Sequence, residues 1–438
     1  MLATGFAVLG GEFPVSFNAT LLATFQQGGS GWVSEQTAQD VLAAYSAAVR
    51  AVNGRAAVER ALHERAGFSP TVCVAVGKAA VDMAQGAIAA LGDALTAGLV
   101  VCKEDCPPRP FPSGWTCMAA GHPLPDERSL NAGQALLMLL KQSRPDAKLL
   151  FLISGGASSL VEVPAPSLDL AKLRKLNEWL IGSGWSIRQI NAVRRRASLI
   201  KGGKLRDYLG QRNASVLAIS DVQGDDPAII GSGLLTQPQP IELPGPLPAE
   251  FEACLLADAA DVADSNEPPA VSFEIIANNS RARSAAAAEL ESRGYEVTVH
   301  DDECYGDAVQ TGYDLAQRLV DGPRGIHIWG GETTVVLPEK PGRGGRCQSL
   351  ALAAACVLAG RPNVGLLAAG TDGTDGPGED AGALVDGSTI DRGRAEGFDA
   401  NDALDRADAG SFLAAAGALI NTGPTGTNVM DLMIGWRQ

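Results

Sequence analysis

The run Lys148-Leu149-Leu150-Phe151-Leu152-Ile153 passes without a polar break into Ser154-Gly155-Gly156-Ala157-Ser158-Ser159, and no other feature of the chain constrains its fold as much. A strand that is apolar throughout needs both faces covered, which is the condition of a parallel sheet packed between helices. The pattern recurs. Thr71-Val72-Cys73-Val74-Ala75-Val76 leads into Gly77-Lys78-Ala79-Ala80, and Ser215-Val216-Leu217-Ala218-Ile219 into Ser220-Asp221. Gly98-Leu99-Val100-Val101-Cys102 and Phe273-Glu274-Ile275-Ile276-Ala277 read as further strands, with a helix expected over residues 129–141. In such sheets ligands gather at the carboxyl ends of the strands, where these glycine-rich turns fall.

Upstream, Val41, Leu42, Tyr45, Ala48, Val49 and Val52 recur at helical spacing from Ser34, with Gly54 as the expected end and a second helix over residues 58–66. In the C-terminal third, strands are expected over residues 296–300, 325–329 and 364–369, and an apolar helix over 348–360. Five prolines in residues 237–248 mark a loop. With 438 residues, the chain exceeds what one core usually holds, so two domains are expected. They are taken as 35–265 and 266–438, after an extension over 1–34, with the boundary between about 250 and 325. The fold class is α/β: a parallel sheet, then a smaller second α/β domain.

The turns carry the candidate chemistry. Gly77-Lys78 could bring backbone N–H groups and a cation to an anion, although the spacing is not that of a Walker A loop and a solvated lysine at a tight turn is the alternative. The Ser154–Ser159 turn is a stronger phosphate cradle, because Gly155 and Gly156 allow close approach and Ser158 and Ser159 add hydroxyls. A nucleophilic serine is the rival, but the turn lacks G-x-S-x-G and the chain has four histidines to supply a base. Asp221, Asp225 and Asp226 crowd carboxylates that a cation such as Mg²⁺ would reconcile; Asp226, before Pro227, also suits a cap. In Gly370-Thr371-Asp372-Gly373-Thr374-Asp375-Gly376-Pro377, Asp372 and Asp375 lie on a loop too glycine-rich for ordinary core, as does Thr422-Gly423-Pro424-Thr425-Gly426-Thr427-Asn428. Arg346 precedes the apolar helix and suits a carboxylate or a transferring phosphoryl group, with a surface arginine as the alternative.

A net charge of −15 argues against a nucleic-acid or anionic-membrane partner. The first Arg or Lys is Arg50, which speaks against a secretory signal, and no run is long and apolar enough to span a membrane. Eight scattered cysteines read as reduced thiols, so a cytoplasmic location is expected. Cys102, Cys106, Cys117 and His122 could in principle bind zinc, but their proline-interrupted spacing fits no paired C-x-x-C knuckle.

Together with Gly121-His122-Pro123-Leu124-Pro125-Asp126, Lys201-Gly202-Gly203-Lys204-Leu205, Gly330-Gly331-Glu332-Thr333-Thr334 and Gly344-Gly345-Arg346, these motifs resemble the MOFRL-type glycerate kinases from about residue 37 to the C-terminus. The resemblance implies a Rossmann-like N-terminal domain, a smaller C-terminal α/β domain of MOFRL type, and an active site in the cleft between them. It implies ATP-dependent phosphorylation of D-glycerate to 2-phosphoglycerate, with ATP and Mg²⁺ as cofactors. On that reading Lys78, Arg346 and Asp221 are catalytic, Asp221 and Asp225 hold metal, and Gly155, Gly156, Ser158, Ser159, Asp372 and Asp375 bind nucleotide. The general base is unassigned, with Asp372 one possibility. The expected partner is a small hydroxy acid, with a homo-oligomer allowed. A hydroxypyruvate reductase and a non-catalytic or altered-substrate family member are the alternatives. Three stretches depart from the family pattern: Arg346-Cys347-Gln348-Ser349 where Arg-Asn-Gln-Glu is usual, Arg195-Arg196-Ala197-Ser198 where Lys-His-Leu-Ser is usual, and Gly233-Leu234-Leu235 where Gly-Pro-Thr is usual.

Overall fold

The computed structural model describes residues 35–65, 69–103, 111–237, 245–255 and 269–438. The extension over 1–34, Cys106 of the zinc candidate, and most of the proline-rich loop lie outside the described residues. Two units emerge: one holds residues 52–278 with 426–428, the other Glu35–Ala51, 279–425 and 429–438. This differs from the division at 265, because helix α1 (Glu35–Ala51) belongs with the C-terminal part and three residues of the C-terminal loop with the N-terminal part.

Helix α2 (Gly54–His63) opens the first unit. Gly54 begins this helix rather than ending the previous one, because Asn53 caps it by accepting from Arg55 N and Ala56 N. Strands β1 (Val72–Val76), β2 (Ala97–Lys103), β3 (Trp115–Ala120), β4 (Leu149–Ile153), β5 (Ala214–Ile219) and β6 (Val271–Ala277) form one sheet in the order β3-β2-β1-β4-β5-β6, parallel throughout. β1, β4 and β5 are buried at every position, as the unbroken apolar runs of β1 and β4 require, and the one polar residue of β5, Ser215, accepts from Ser272 Oγ at 2.9 Å. β3 is the strand that the sequence did not signal, since its exposed edge position tolerates a polar, mixed pattern.

Helices α3 (Ala80–Leu91), α4 (Glu127–Gln142), the single turn α5 (Ala157–Leu160), α6 (Leu170–Gly182) and α7 (Ile187–Arg196) complete the parts needed here. Asp126 of the Gly121–Asp126 motif caps α4 through a reciprocal box with Ser129. The strand order reverses between β1 and β4, so their two turns lie side by side. Leu234 and Leu235, which replace the usual Pro-Thr, are buried in this unit's core.

In the second unit, α8 (Asn279–Ser292) is followed by β7 (Val297–Val299), β8 (Cys304–Asp307), α9 (Ala308–Asp321), β9 (Gly325–Thr334), α10 (Arg346–Leu358), β10 (Val364–Gly370), β11 (Gly382–Asp386), β12 (Leu419–Ile420) and β13 (Asp431–Arg437). This sheet is mixed, in the order β12-β11-β10-β13-β9-β7 with β8 also on β9. β13 runs antiparallel to both β10 and β9, so Asp431 at its start stands opposite Gly370 and Gly331 near their ends. Among the described residues no helix is long and apolar enough to cross a membrane.

Candidate active site

The turn after β1 and the turn after β4 are tied main chain to main chain in the first unit. Lys78 N donates to Gly155 O at 2.8 Å, Ser154 N to Val76 O at 3.0 Å, and Ala79 N to Ser154 Oγ at 3.1 Å. Any residue at position 78 would keep its backbone bond, so what is particular to lysine is the side chain. That side chain crosses the face of Gly156: a Cβ built there would stand 3.5 Å from Lys78 Cγ and 3.0 Å from His122 Nε2. Gly156 has φ +83°, a second reason for glycine. A Cβ on Gly155 would lie 1.8 Å from Asp221 Oδ2 and 2.9 Å from Asn428 Nδ2, so only glycine lets that carboxylate and amide reach the loop. Asn428 Nδ2 donates to Asp221 Oδ2 at 3.0 Å.

Lys78, His122, Asp221 and Asn428 thus converge on two adjacent glycines. Beside them a cavity of about 210 Å³ is lined by His122, Gly156, Ser158, Asn191, Arg194 and Asp221, among others. Ser158 Oγ shares a 2.7 Å hydrogen bond with Ser232 Oγ, whereas Ser159 Oγ donates back to Gly156 O and braces the loop. The other aspartates of this turn face elsewhere. Asp225 accepts from Asn278 Nδ2 at 2.6 Å, while Asp226 accepts from Ala228 N and pairs with Arg188 at 3.0 Å. Among the described residues no three His, Cys, Asp or Glu groups form a metal cluster. A carboxylate placed by a glycine at a cavity wall, as Asp221 is, fits a hard cation that shares its shell with phosphate oxygens.

Elsewhere in the first unit, Lys201 and Glu162 form an ion pair with side chains 3% and 2% exposed. Ser198 Oγ donates to Glu162 Oε1 at 2.6 Å, and the Ile200 and Lys201 N–H groups donate to Ser198 Oγ. Burial lowers the Lys201 pKa, with Glu162 opposing that shift. The serine of the altered Arg195-Arg196-Ala197-Ser198 stretch therefore keeps a structural task.

In the second unit, Arg346 Nε and Nη2 donate to Asp431 at 2.6 and 2.9 Å, and Nη2 lies 3.1 Å from Glu332 Oε1. Burial works against this charge, but Asp431, aided by Glu332, more than offsets it and raises the arginine's pKa. Asp375, expected to face nucleotide, is 2% exposed and accepts from Cys347 N and Gln348 N at 3.1 and 2.8 Å. It anchors the start of α10. Asp372 accepts from Thr374 N and Oγ1 at 3.1 Å and shapes its own turn. Cys347 and Ser349 are both buried, 2% and 3% exposed, so these departures meet the protein interior.

Burial, reinforced by Asp431, raises the Asp375 pKa to about 7 from an ordinary 3.8. Between those values the folded state holds a proton that the unfolded chain has lost. The stabilisation is therefore full below about pH 4 and lost as pH rises through about 7. Asp375→Asn removes this titration. The stability of wild type minus that of the variant is expected to fall from pH 5 to 8, by up to roughly 1.4 kcal/mol per pH unit. Paired thermal melts across that range test it; a flat difference would refute the assignment.

Sequence reasoning identified Lys78, Asp221, Arg346 and the glycines as candidates, and the structure brings Lys78, Asp221, Gly155 and Gly156 together. Sequence reasoning weighed His122 only as a zinc ligand and did not single out Asn191, Arg194, Asn428, Glu332 or Asp431 for this site. His122, Asn428 and Glu332 lay within motifs already noticed. Asp431 opens the last strand with nothing local to mark it.

A doubly wound sheet in this strand order, with polar glycine turns at its switch point, defines the class: an α/β protein with a polar small-molecule site at its strand ends. A profile described as the MOFRL family matches residues 325–431, and one described as a domain of unknown function, DUF4147, matches residues 40–242. The chain is 36% identical over 377 residues to the D-glycerate 2-kinase of Thermotoga maritima, covering 83% of this chain and 90% of that one. A protein of Agrobacterium vitis given the provisional name hydroxypyruvate reductase is 34% identical over 418 residues, covering 92% and 94%. The crystal structure of glycerate kinase from Thermotoga maritima is similar at a TM-score of 0.81 and 32% identity, covering 92% of this chain and 100% of that one. The chain belongs to the MOFRL-type glycerate kinase family.

Proposed function

We propose that this protein transfers the γ-phosphoryl group of ATP to the 2-hydroxyl of D-glycerate, giving 2-phosphoglycerate and ADP. The observation that carries the reading is the convergence of Lys78, His122, Asp221 and Asn428 on Gly155 and Gly156. The acceptor oxygen forms a bond to the γ-phosphorus as the bond to the β-phosphate oxygen breaks, and the hydroxyl proton is released to water. Little covalent chemistry falls to the protein, so positioning and charge neutralisation dominate. Lys78 meets the negative charge of the phosphoryl oxygens. The two glycines let phosphate approach the main chain. Arg346, held by Asp431 and Glu332 in the second unit, is the other catalytic cation of this reading. Asp221, at the cavity wall, would hold Mg²⁺, which would supply charge neutralisation at the phosphate oxygens, whereas Asp225 is turned to Asn278.

The relatives named for hydroxypyruvate reduction raise a second reading, but no G-x-G-x-x-G follows β1, where the turn is Gly77-Lys78-Ala79-Ala80. A kinase also explains why a lysine and a carboxylate flank the glycine loop. We place the reaction in the cytoplasm on the unbonded state of the described cysteines. A coupled assay decides the activity: ADP release with D-glycerate, dependent on added Mg²⁺, is expected. NADH oxidation with hydroxypyruvate in the absence of ADP release would overturn the kinase.

A further inference from the structure

The cavity of about 210 Å³ in the first unit is smaller than the roughly 300 to 1,000 Å³ of sites for drug-sized ligands. It suits a three-carbon acid better than a whole nucleotide. Its wall holds one cation whose charge is not locally cancelled. Lys201 is paired with Glu162, and Arg188 with Asp226. Arg194 feels the Glu162 field, but among the described residues no carboxylate stands within ion-pair distance of it.

Arg194 is also aimed. Its Nε donates to Asn177 Oδ1 at 3.0 Å, and Asn177 is itself buried and fixed by an Nδ2 bond to Leu173 O at 2.9 Å. Both anchors lie on α6. With Nε committed, the Nη edge is the part of the guanidinium left to meet a planar anion in bidentate fashion. Asn191, one helical turn earlier on α7, accepts from Ser232 Oγ at 3.0 Å through Oδ1, which turns its Nδ2 donor the other way. Asp221 stands at the cavity wall beside the glycine loop, so the reacting and recognising groups share one chamber.

The geometry points to Arg194, with Asn191 as a second donor, as the group that reads the carboxylate of the phosphoryl acceptor. This rests on the phosphoryl-transfer reading above and assigns the acceptor's acid end to the Arg194 wall of the cavity, with its hydroxyl toward Gly155 and Asp221. It makes the enzyme selective for short hydroxy acids over neutral polyols of similar size.

The full-length protein is assayed with D-glycerate and with its neutral amide, and D-glycerate binding is followed separately by calorimetry. Arg194→Met is expected to weaken D-glycerate binding and raise its KM about 10- to 100-fold, with the KM for ATP changed less than about threefold. The preference for acid over amide should collapse with it. Arg194→Lys, which keeps the charge but not the planar fork, should recover part of both. A rise in the KM for ATP instead would assign the cavity to nucleotide phosphate and overturn the proposal, as would an unchanged acid-to-amide preference. If wild type releases no ADP with D-glycerate, the kinase reading fails by itself. Calorimetric binding that is lost in Arg194→Met would then still support the carboxylate site, and absent or equal binding would refute it.

Discussion

Replacing Lys78 with methionine is expected to lower kcat roughly 100- to 1,000-fold, the usual cost of deleting one preorganised charge at a transition state. Thermal unfolding should shift little. The expectation separates side chain from backbone: Lys78 N still donates to Gly155 O in the variant, so the two glycine turns stay joined. Lost is the ammonium whose stem crosses Gly156 beside His122. Methionine keeps most of the stem's volume, so a fall in turnover reports the charge. A kcat within threefold of wild type would remove Lys78 from the chemistry and would leave the cradle to the glycines and Asp221.

Glu162→Gln should produce the largest loss of stability, about 3–5 kcal/mol in urea unfolding, because breaking a buried pair leaves one charge uncompensated. Lys201 would be that charge, 3% exposed, with Arg194 adding repulsion. Glutamine is nearly isosteric and can still accept from Ser198 Oγ and Val163 N, the bonds Glu162 now accepts, so the change isolates the charge. The double variant Glu162→Gln with Lys201→Met should recover more than half of the loss, since removing both members of a buried pair is often near neutral. A small effect in the single variant would mean that the pair is not held as buried as it stands here.

Much of the first unit was legible because a strand buried on both faces is dominated by apolar residues: β1 and β4 are apolar throughout and β5 is broken only by Ser215. The glycine turns were legible for a related reason: a residue that must lie under Asp221 or Lys78 with no room for a Cβ can only be glycine, and Gly155 and Gly156 stand out in the string. The mixed sheet of the second unit was harder. Its β13 begins with Asp431 and lies between β9 and β10, which precede it by many residues, so no local pattern reveals that it runs antiparallel to both.

The aspartates show the same limit. Asp372 and Asp375 looked alike as neighbours on a glycine-rich loop, and Asp221 and Asp225 as neighbours after a strand. The fold separated each pair, sending Asp375 into the first turn of α10 and turning Asp225 to Asn278. Likewise Arg194 was one of three consecutive arginines, distinguished only by Asn177 from another helix.

By itself the sequence determined five of the six strands of the first unit's sheet, the glycine turns at their ends, and the family, because these depend on local polarity and on the absence of side chains. Tertiary structure alone decided which carboxylate faces the glycine loop, which braces a helix, and which arginine of the Arg194-Arg195-Arg196 run is held by Asn177. Those outcomes depend on partners tens to hundreds of residues away, as with Asn428 on Asp221, and a linear pattern does not encode which distant group will arrive.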